Sequence, residues 1–186
     1  MTTTKTIALT VLLGLSSAVA SPAEPVYAQE QKKDPDLLLP QYNWDGTYTK
    51  PVKLSSYKSI IVLDVFSWSN TYARRDVPFF SVLNERYTPQ VRVLGLEYEA
   101  RDATQLDKFR EKAGKPNYPV FVGKKDELTK TPYLDKEVMS FLSFPIYFII
   151  DNRQGQMKPV WDSTKLEIKY PRRELEKTLE TLIQNR

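Results

Sequence analysis

Short apolar runs alternate along the chain with segments in which apolar residues recur at helical spacing. Ser59–Phe66 is a nearly continuous β-branched and aliphatic run, which is typical of a strand that is covered on both faces. Val91–Tyr98 and Pro145–Asp151 are further runs that predict strands. Helical spacing predicts three helices, over Thr71–Arg86, Thr104–Lys112 and Pro171–Gln184.

Shorter patterns lie between these elements. Pro51–Leu54 alternates like an edge strand, Tyr118–Val122 is typical of a short strand and Asp135–Phe141 of a short helix. Asn152–Gly155 predicts a hairpin turn that leads into a partner strand, Gln156–Trp161. Because strands alternate with helices, we expect an α/β fold with a central mixed sheet, helices on both faces and a C-terminal β-hairpin and helix.

The N-terminus has the pattern of a secretory signal peptide. Lys5 precedes the apolar run Ile7–Leu15, and small residues follow up to Ala20. We expect cleavage after Ala20, and Ala28 ends a second small-residue site. No later segment is long enough to cross a bilayer. The pattern therefore predicts a periplasmic or secreted protein with no stable membrane span after processing.

The predicted organisation of the chain has three parts. Residues 1–20 form the signal peptide, and residues 21–40 are polar, lack apolar periodicity and are expected to be a flexible lead-in. Residues 41–186 are about the length of one domain with one core.

The composition excludes several kinds of site. The chain contains no cysteine and no histidine, so disulfides, thiol chemistry and the usual zinc, copper, haem and Ser-His-Asp sites are ruled out. The acidic pairs Glu97-Glu99 and Asp126-Glu127 lack a calcium-loop pattern, and we interpret them as solvated surface. Lys and Arg exceed Asp and Glu by 27 to 23 but are spread along the chain without an aromatic-basic motif. We expect no metal, no cofactor and no nucleic-acid partner.

Three motifs follow one another along the chain. Gly46–Lys58 has the sequence GTYTKPVKLSSYK, Ser69–Pro78 has SNTYARRDVP, and Ser143–Asp151 has SFPIYFIID. They resemble, in this order, the G-K-x-V-x-L-S-D-Y-K-G-K segment, the W-C-P-P-C-R-x-E-x-P active site and the G-x-P-x-x-F-x-I-D cis-proline loop of TlpA/ResA-type thiol-disulfide oxidoreductases. The resemblance extends from about Tyr42 to Ile183. It implies a thioredoxin-like fold with a cis peptide bond before Pro145.

The active-site motif lacks both cysteines. The four positions of the C-x-x-C dithiol are occupied by Asn70, Thr71, Tyr72 and Ala73. The end of the motif is retained as Arg74, Asp76 and Pro78. Thiol-disulfide oxidoreductase activity is therefore excluded. Asn is among the best N-cap residues, and we expect Asn70 to accept hydrogen bonds from the first backbone N–H groups of the helix.

Asp64 lies in the first buried strand, six residues before Asn70. It matches the buried acid of thioredoxins, which the resemblance implies to be a proton acceptor for the second cysteine, and that cysteine is absent here. Burial should raise the pKa of its carboxyl, which suits an acid or base in some other reaction. The alternative, which we favour, is a hydrogen-bonded or water-linked polar group of the core.

Aromatic residues are expected near the former active site. Trp68, Tyr72 and Phe144 should converge there, because the helix start and the cis-proline loop are neighbours in the fold that the resemblance implies. In the active relatives that the resemblance implies, the surface beside the cis-proline binds an extended substrate peptide through backbone hydrogen bonds. We expect these residues to form a binding surface with Arg74 or Arg75 on its rim. Alternatively, the rings pack inward as ordinary core.

Two functions are compatible with these features. The first is an exported, redox-inactive thioredoxin-like protein that binds another envelope or secreted protein or peptide, as a chaperone, adaptor or assembly subunit. The second is a non-redox enzyme in which Asp64 is the buried acid or base and the helix start at Asn70 holds an anionic group. A degenerate paralogue with only a structural role is a third possibility. The first accounts for every loss, so we do not expect an enzyme.

Overall fold

Six strands form one mixed sheet in the computed structural model, which describes residues 36–100, 102–129, 131, 134, 145–164 and 171–185. In spatial order the strands are β2 (Gln41–Tyr42), β6 (Val120–Val122), β5 (Val91–Glu97), β4 (Ile60–Phe66), β7 (Ile146–Asp151) and β8 (Lys158–Asp162). The central strands β6, β5 and β4 are parallel, whereas β2, β7 and β8 each run antiparallel to their neighbours. Two further strands, β1 (Leu38–Leu39) and β3 (Val52–Lys53), pair with each other in a separate two-stranded sheet.

The described part of the chain contains four α-helices and one 3-10 turn. They are α1 (Thr71–Tyr87), α2 (Ala103–Ala113), α3 (Lys125–Leu128), α4 (Pro171–Gln184) and the 3-10 turn Leu54–Ser56. Helix α1 connects β4 to β5, and α2 connects β5 to β6. Parallel strands need such crossovers. Within the described ranges, no helix combines the length and the apolar character needed to cross a membrane.

Strand β4 divides the core into two clusters because its side chains alternate between the faces of the sheet. Ile60, Val62 and Phe66 pack in the cluster that contains the buried residues of α1, α2 and α4. Ile61, Leu63 and Val65 pack in the cluster on the other face. That second cluster is completed by short elements, with buried side chains from β1, the 3-10 turn and α3: Leu39, Leu54 and Leu128. All seven residues of β4 are buried, so every side chain at its C-terminal end is held by core on one face or the other.

The predicted α/β class, mixed sheet, C-terminal hairpin and terminal helix are confirmed. Two details near the N-terminus differ from the expectation. The predicted edge strand Pro51–Leu54 pairs with β1 in the separate sheet, and Gln41–Tyr42 occupies the edge of the main sheet instead. The predicted lead-in reached residue 40, yet Leu37 and Leu39 are only 6% and 2% exposed. The folded chain therefore includes the end of that segment.

Some predictions fall outside the described residues. These are the signal peptide over residues 1–20, the short helix Asp135–Phe141 and the side chain of Phe144 with its peptide bond to Pro145.

Candidate functional site

The segment that resembles an active site connects the end of β4 to the start of α1. Asn70 is the N-cap of α1. Its Oδ1 accepts hydrogen bonds from the backbone N–H groups of Tyr72 at 2.8 Å and Ala73 at 3.3 Å, which is the capping arrangement expected from the sequence. The segment lies at the carboxyl edge of the parallel strands, where ligands of α/β sheets usually bind.

The residues proposed for binding differ in exposure. Tyr72 is 52% exposed in the first turn of α1. Trp68, in contrast, is partly buried against the core cluster that contains the buried residues of α1, α2 and α4. The Arg74 guanidinium donates to Thr71 Oγ1 at 2.8 Å, so it lies along the first turn of the helix. Because Ile146 is opposite Val65 in the β4–β7 register, the half-buried Pro145 lies at the same edge of the sheet as this segment.

Asp64 is enclosed by the core. It is 1% exposed, and its Oδ1 has no hydrogen-bond partner among the described residues. In the sheet it lies between Gly95 and Tyr147. A Cβ atom on Gly95 would lie 3.3 Å from Tyr118 Cε2, so the glycine leaves room for that ring. Among the described residues this oxygen has no protein partner, and the interpretation of Asp64 as a hydrogen-bonded or water-linked core group stays a prediction.

Burial governs the protonation of Asp64 and of the tyrosines around it. Desolvation raises the pKa of the Asp64 carboxyl well above its usual value, and the charge of Arg172 only partly opposes it. Desolvation also raises the pKa values of Tyr118 and Tyr147, and the negative charge of Asp64 adds to both shifts. The hydroxyl of Tyr118 has no hydrogen-bond partner among the described residues. This cluster favours neutral side chains.

The retained acid of the motif, Asp76, is engaged in a network that sequence reasoning did not find. Asp76 is 1% exposed, accepts a hydrogen bond from the Tyr147 hydroxyl and forms an ion pair with Arg172. The Arg172 guanidinium also lies over the Phe79 ring, 5.4 Å from its centroid. These contacts join α1, β7 and the start of α4. Asp76 therefore holds the packing beneath the site together and is not presented to a ligand.

Glu97 is the second residue that the sequence interpretation missed. It was assigned with Glu99 to the solvated surface, but the side chain of Glu97 is fully buried. Its Oε1 accepts from the backbone N–H groups of Trp68 at 3.2 Å and Glu99 at 2.9 Å, and its Oε2 accepts from Ala100 N–H at 2.6 Å. Burial raises the pKa of Glu97 to about 7, although these hydrogen bonds lower it; the nearby charge of Glu99 raises it further.

A second contact links the same two segments. The Ser67 hydroxyl donates to the Glu99 carboxylate, and it lies 2.9 Å from the Ser69 hydroxyl. The turn after β5 and the segment before α1 are thus joined at both glutamates. Beside this turn is an open groove of about 640 Å³, lined among others by Tyr48, Tyr98 and Val122.

No protein-family model and no curated protein matches the chain. Solved structures do match. One described as thiol:disulfide interchange protein DsbE, from Chlorobium tepidum, is 20% identical with a TM-score of 0.60 over 81% of this chain and 94% of its own.

Two further solved structures have the same kind of fold. A thiol:disulfide interchange protein from Bacteroides sp. has a TM-score of 0.60 at 15% identity, over 82% of this chain and 89% of its own. The chain has a thioredoxin-like fold. A pneumococcal exposed lipoprotein thioredoxin from Streptococcus pneumoniae, with a TM-score of 0.56 at 18% identity, covers 78% of this chain and 98% of its own. The relationship expected from the motifs is confirmed for the fold.

On this thioredoxin-like fold, the site lacks the atoms for thiol-disulfide exchange. The exchange requires a thiolate that attacks a disulfide sulfur, and the chain has no cysteine. Within the described residues, no three acidic side chains gather as a metal site. What the arrangement offers is a capped helix start with an exposed Tyr72, a half-buried Trp68 and Pro145 at the same sheet edge.

Proposed function

We propose that this exported, redox-inactive thioredoxin-like protein binds an extended segment of another envelope or secreted protein. The binding surface, here called the peptide surface, comprises Trp68, Tyr72, Arg74 and Pro145. It also includes Phe144, which is added from the motif resemblance alone and lies outside the described residues. The observation that carries the proposal is the exposure of Tyr72, which is 52%, four residues after the partly buried Trp68. Tyr and Trp supply large contact areas at little entropic cost and are common in binding hot spots.

The capping of α1 also favours binding over catalysis. The N–H groups of Tyr72 and Ala73 already donate to Asn70 Oδ1. A helix start attracts anions through N–H groups that lack a partner, so Asn70 competes directly with an anionic substrate. Asp64, the acid of the enzyme alternative, is 1% exposed and so lies out of reach of a substrate at the surface. Neither residue supports the enzyme alternative.

The position of Pro145, just before β7, suggests an extended partner. Strand β7 starts beside the end of β4, since Ile146 is opposite Val65. A peptide whose backbone lies next to the start of a strand gains affinity from main-chain hydrogen bonds, and pockets for its side chains supply specificity. Trp68 and Tyr72 then contact an apolar side chain of the peptide, and Arg74 lies on the rim. The predicted signal peptide supports export as the setting.

Site-specific crosslinking tests the proposal. A photoreactive amino acid replaces Tyr72 in one variant and Val82 in another. Val82 is a matched control because it lies in the same helix and is equally exposed, at 52%. In the native host, the Tyr72 variant should form a discrete adduct with another polypeptide that the Val82 variant does not form.

A quantitative test uses peptides selected from a displayed library on the wild-type protein. Tyr72→Ala should weaken binding by at least about tenfold, as expected for an aromatic hot spot, and Val82→Ala should not. Equal adducts from both crosslinking positions, or selected peptides whose affinity is insensitive to Tyr72→Ala, would contradict the proposed surface.

A further inference from the structure

One buried carboxyl group holds the segment that presents Trp68. Glu97 is the last residue of β5, and its three hydrogen bonds reach two separate stretches of backbone. Two of them, from Glu99 and Ala100, shape the turn after β5. The third comes from Trp68, three residues before the start of α1. The position of Trp68 therefore depends on a side chain of the neighbouring strand.

The three hydrogen bonds favour the ionised form of Glu97, although burial opposes it. All three partners are N–H donors, and both carboxylate oxygens accept from them. A protonated carboxyl has one O–H donor and keeps its other acceptor positions, but it loses the charge that makes hydrogen bonds to a carboxylate short and strong. Protonation therefore weakens the three bonds. Since the pKa of Glu97 is about 7, this change falls in the neutral range.

The charges around Glu97 come from several elements. Glu99, in the same turn, is a like charge that raises the pKa of Glu97. Tyr48, from the segment after β2, and Tyr98, next along the chain, have raised pKa values to which the charge of Glu97 contributes. Lys124 and Lys125, after β6, line the groove beside the turn. No ion pair is recorded for Glu97 within the described residues, so its N–H partners are its main stabilising contacts.

We propose that Glu97 is a positioning residue for the peptide surface: its carboxylate fixes the segment Ser67–Asn70, and uptake of one proton releases that segment. This inference rests on the proposed function. Peptide binding is consequently linked to the protonation of Glu97. If the ionised form is the binding form, apparent affinity follows the ionised fraction and falls about tenfold between about pH 8 and about pH 6.

The first experiment needs no peptide. Amide NMR of the full chain from about pH 5 to about pH 9 should show Trp68, Glu99 and Ala100 titrating with one shared midpoint, and Glu97→Gln should abolish that titration. Thr47 is an internal control, because its N–H also donates to a carboxylate, Asp45 Oδ1 at 2.8 Å. The pKa of Asp45 is below its usual value, so Thr47 should not titrate in this range.

The second experiment measures affinity for a library-selected peptide that requires Tyr72, at about pH 6 and about pH 8. The affinity of the wild type should fall about tenfold at the lower pH, and the affinity of Glu97→Gln should not change. Glu99→Gln is the matched acidic control: it should retain the pH dependence, with its midpoint moved down, because the charge of Glu99 contributes to the raised pKa of Glu97.

The outcomes separate this inference from the proposed function. Peptide binding through Tyr72 with the same pH dependence in wild type and Glu97→Gln would overturn the role of Glu97 and leave the proposed function standing. Titration of Trp68 with Glu97 but no peptide selected would overturn the proposed function, and the linkage to binding with it. If Glu97→Gln does not fold, the NMR titration of the wild-type protein alone tests the coupling. The carboxyl carbon of Glu97 and the amide of Trp68 must share one midpoint, and different midpoints refute the coupling.

Discussion

Replacing Glu97 with glutamine should change how the stability of the fold depends on pH. The substitution keeps the size of the side chain and removes its ionisation. Burial raises the pKa of Glu97 from 4.5 to about 7 in the folded chain, so the fold favours the neutral form. The stability that this preference contributes is fully present below about pH 4.5 and is lost as the pH rises through about 7.

The magnitude follows from the two pKa values. A rise from 4.5 to about 7 corresponds to about 3 kcal/mol of stability that disappears across this interval. The stability of Glu97→Gln relative to wild type should therefore increase by about 3 kcal/mol between about pH 4.5 and a pH above 7. The amide and carboxyl groups also differ in the strength of their hydrogen bonds. A difference that does not vary with pH shifts the free-energy difference between the two proteins by a constant and does not change its pH dependence.

The assay is urea unfolding of both proteins at a series of pH values, followed by the fluorescence of the three tryptophans. Linear extrapolation gives the free energy of unfolding at each pH. Comparing the two proteins cancels the titration of other groups, such as Asp64 and Asp151. A difference that stays constant with pH would refute the reasoning. A slope of opposite sign would show that the three N–H bonds outweigh the desolvation of the carboxylate.

Three further perturbations test the core around the site. Asn70→Ala should cost about 1 kcal/mol of stability through loss of the N-cap, whereas Asn70→Asp should retain the cap; thermal unfolding measures both. Asp64→Asn should lose less stability than wild type as the pH rises, because burial raises the pKa of Asp64 and the wild type loses the contribution of its neutral form; equal pH profiles would contradict this. Arg172→Leu should destabilise the fold by about 3 kcal/mol because it leaves the buried Asp76 without its cation, and adding Asp76→Asn should recover part of that loss in urea unfolding.

The sequence predicted the elements whose periodicity is long. Strand β4 and helix α1 were both recognised within a residue or so, because seven buried residues and a capped helix of 17 residues leave a clear pattern. Strands β1 and β2 have two residues each and leave no periodicity. Their burial depends on pairing with β3 and β6, which are distant in sequence.

The candidate site was predicted where its chemistry is local. The N-cap at Asn70 follows from residue type and position alone. Glu97 was assigned to the surface because the sequence Glu97-Tyr98-Glu99 offers no sign that the first acid turns inward. One of its hydrogen-bond donors, the backbone N–H of Trp68, comes from the preceding crossover. The partner of Asp76, Arg172, likewise comes from the other end of the chain.

The cap at Asn70 has a consequence for how the protein responds to its surroundings. In relatives with a dithiol at this position, oxidation and reduction exchange two covalent states at the helix start. Here an amide side chain holds the same backbone groups and has no oxidised form. The cap of α1 therefore does not respond to the redox potential of its compartment. Thiol oxidants, reductants and thiol-alkylating reagents have no group to react with at Asn70. In the proposed function, capture and release of a partner then depend on something other than a redox change.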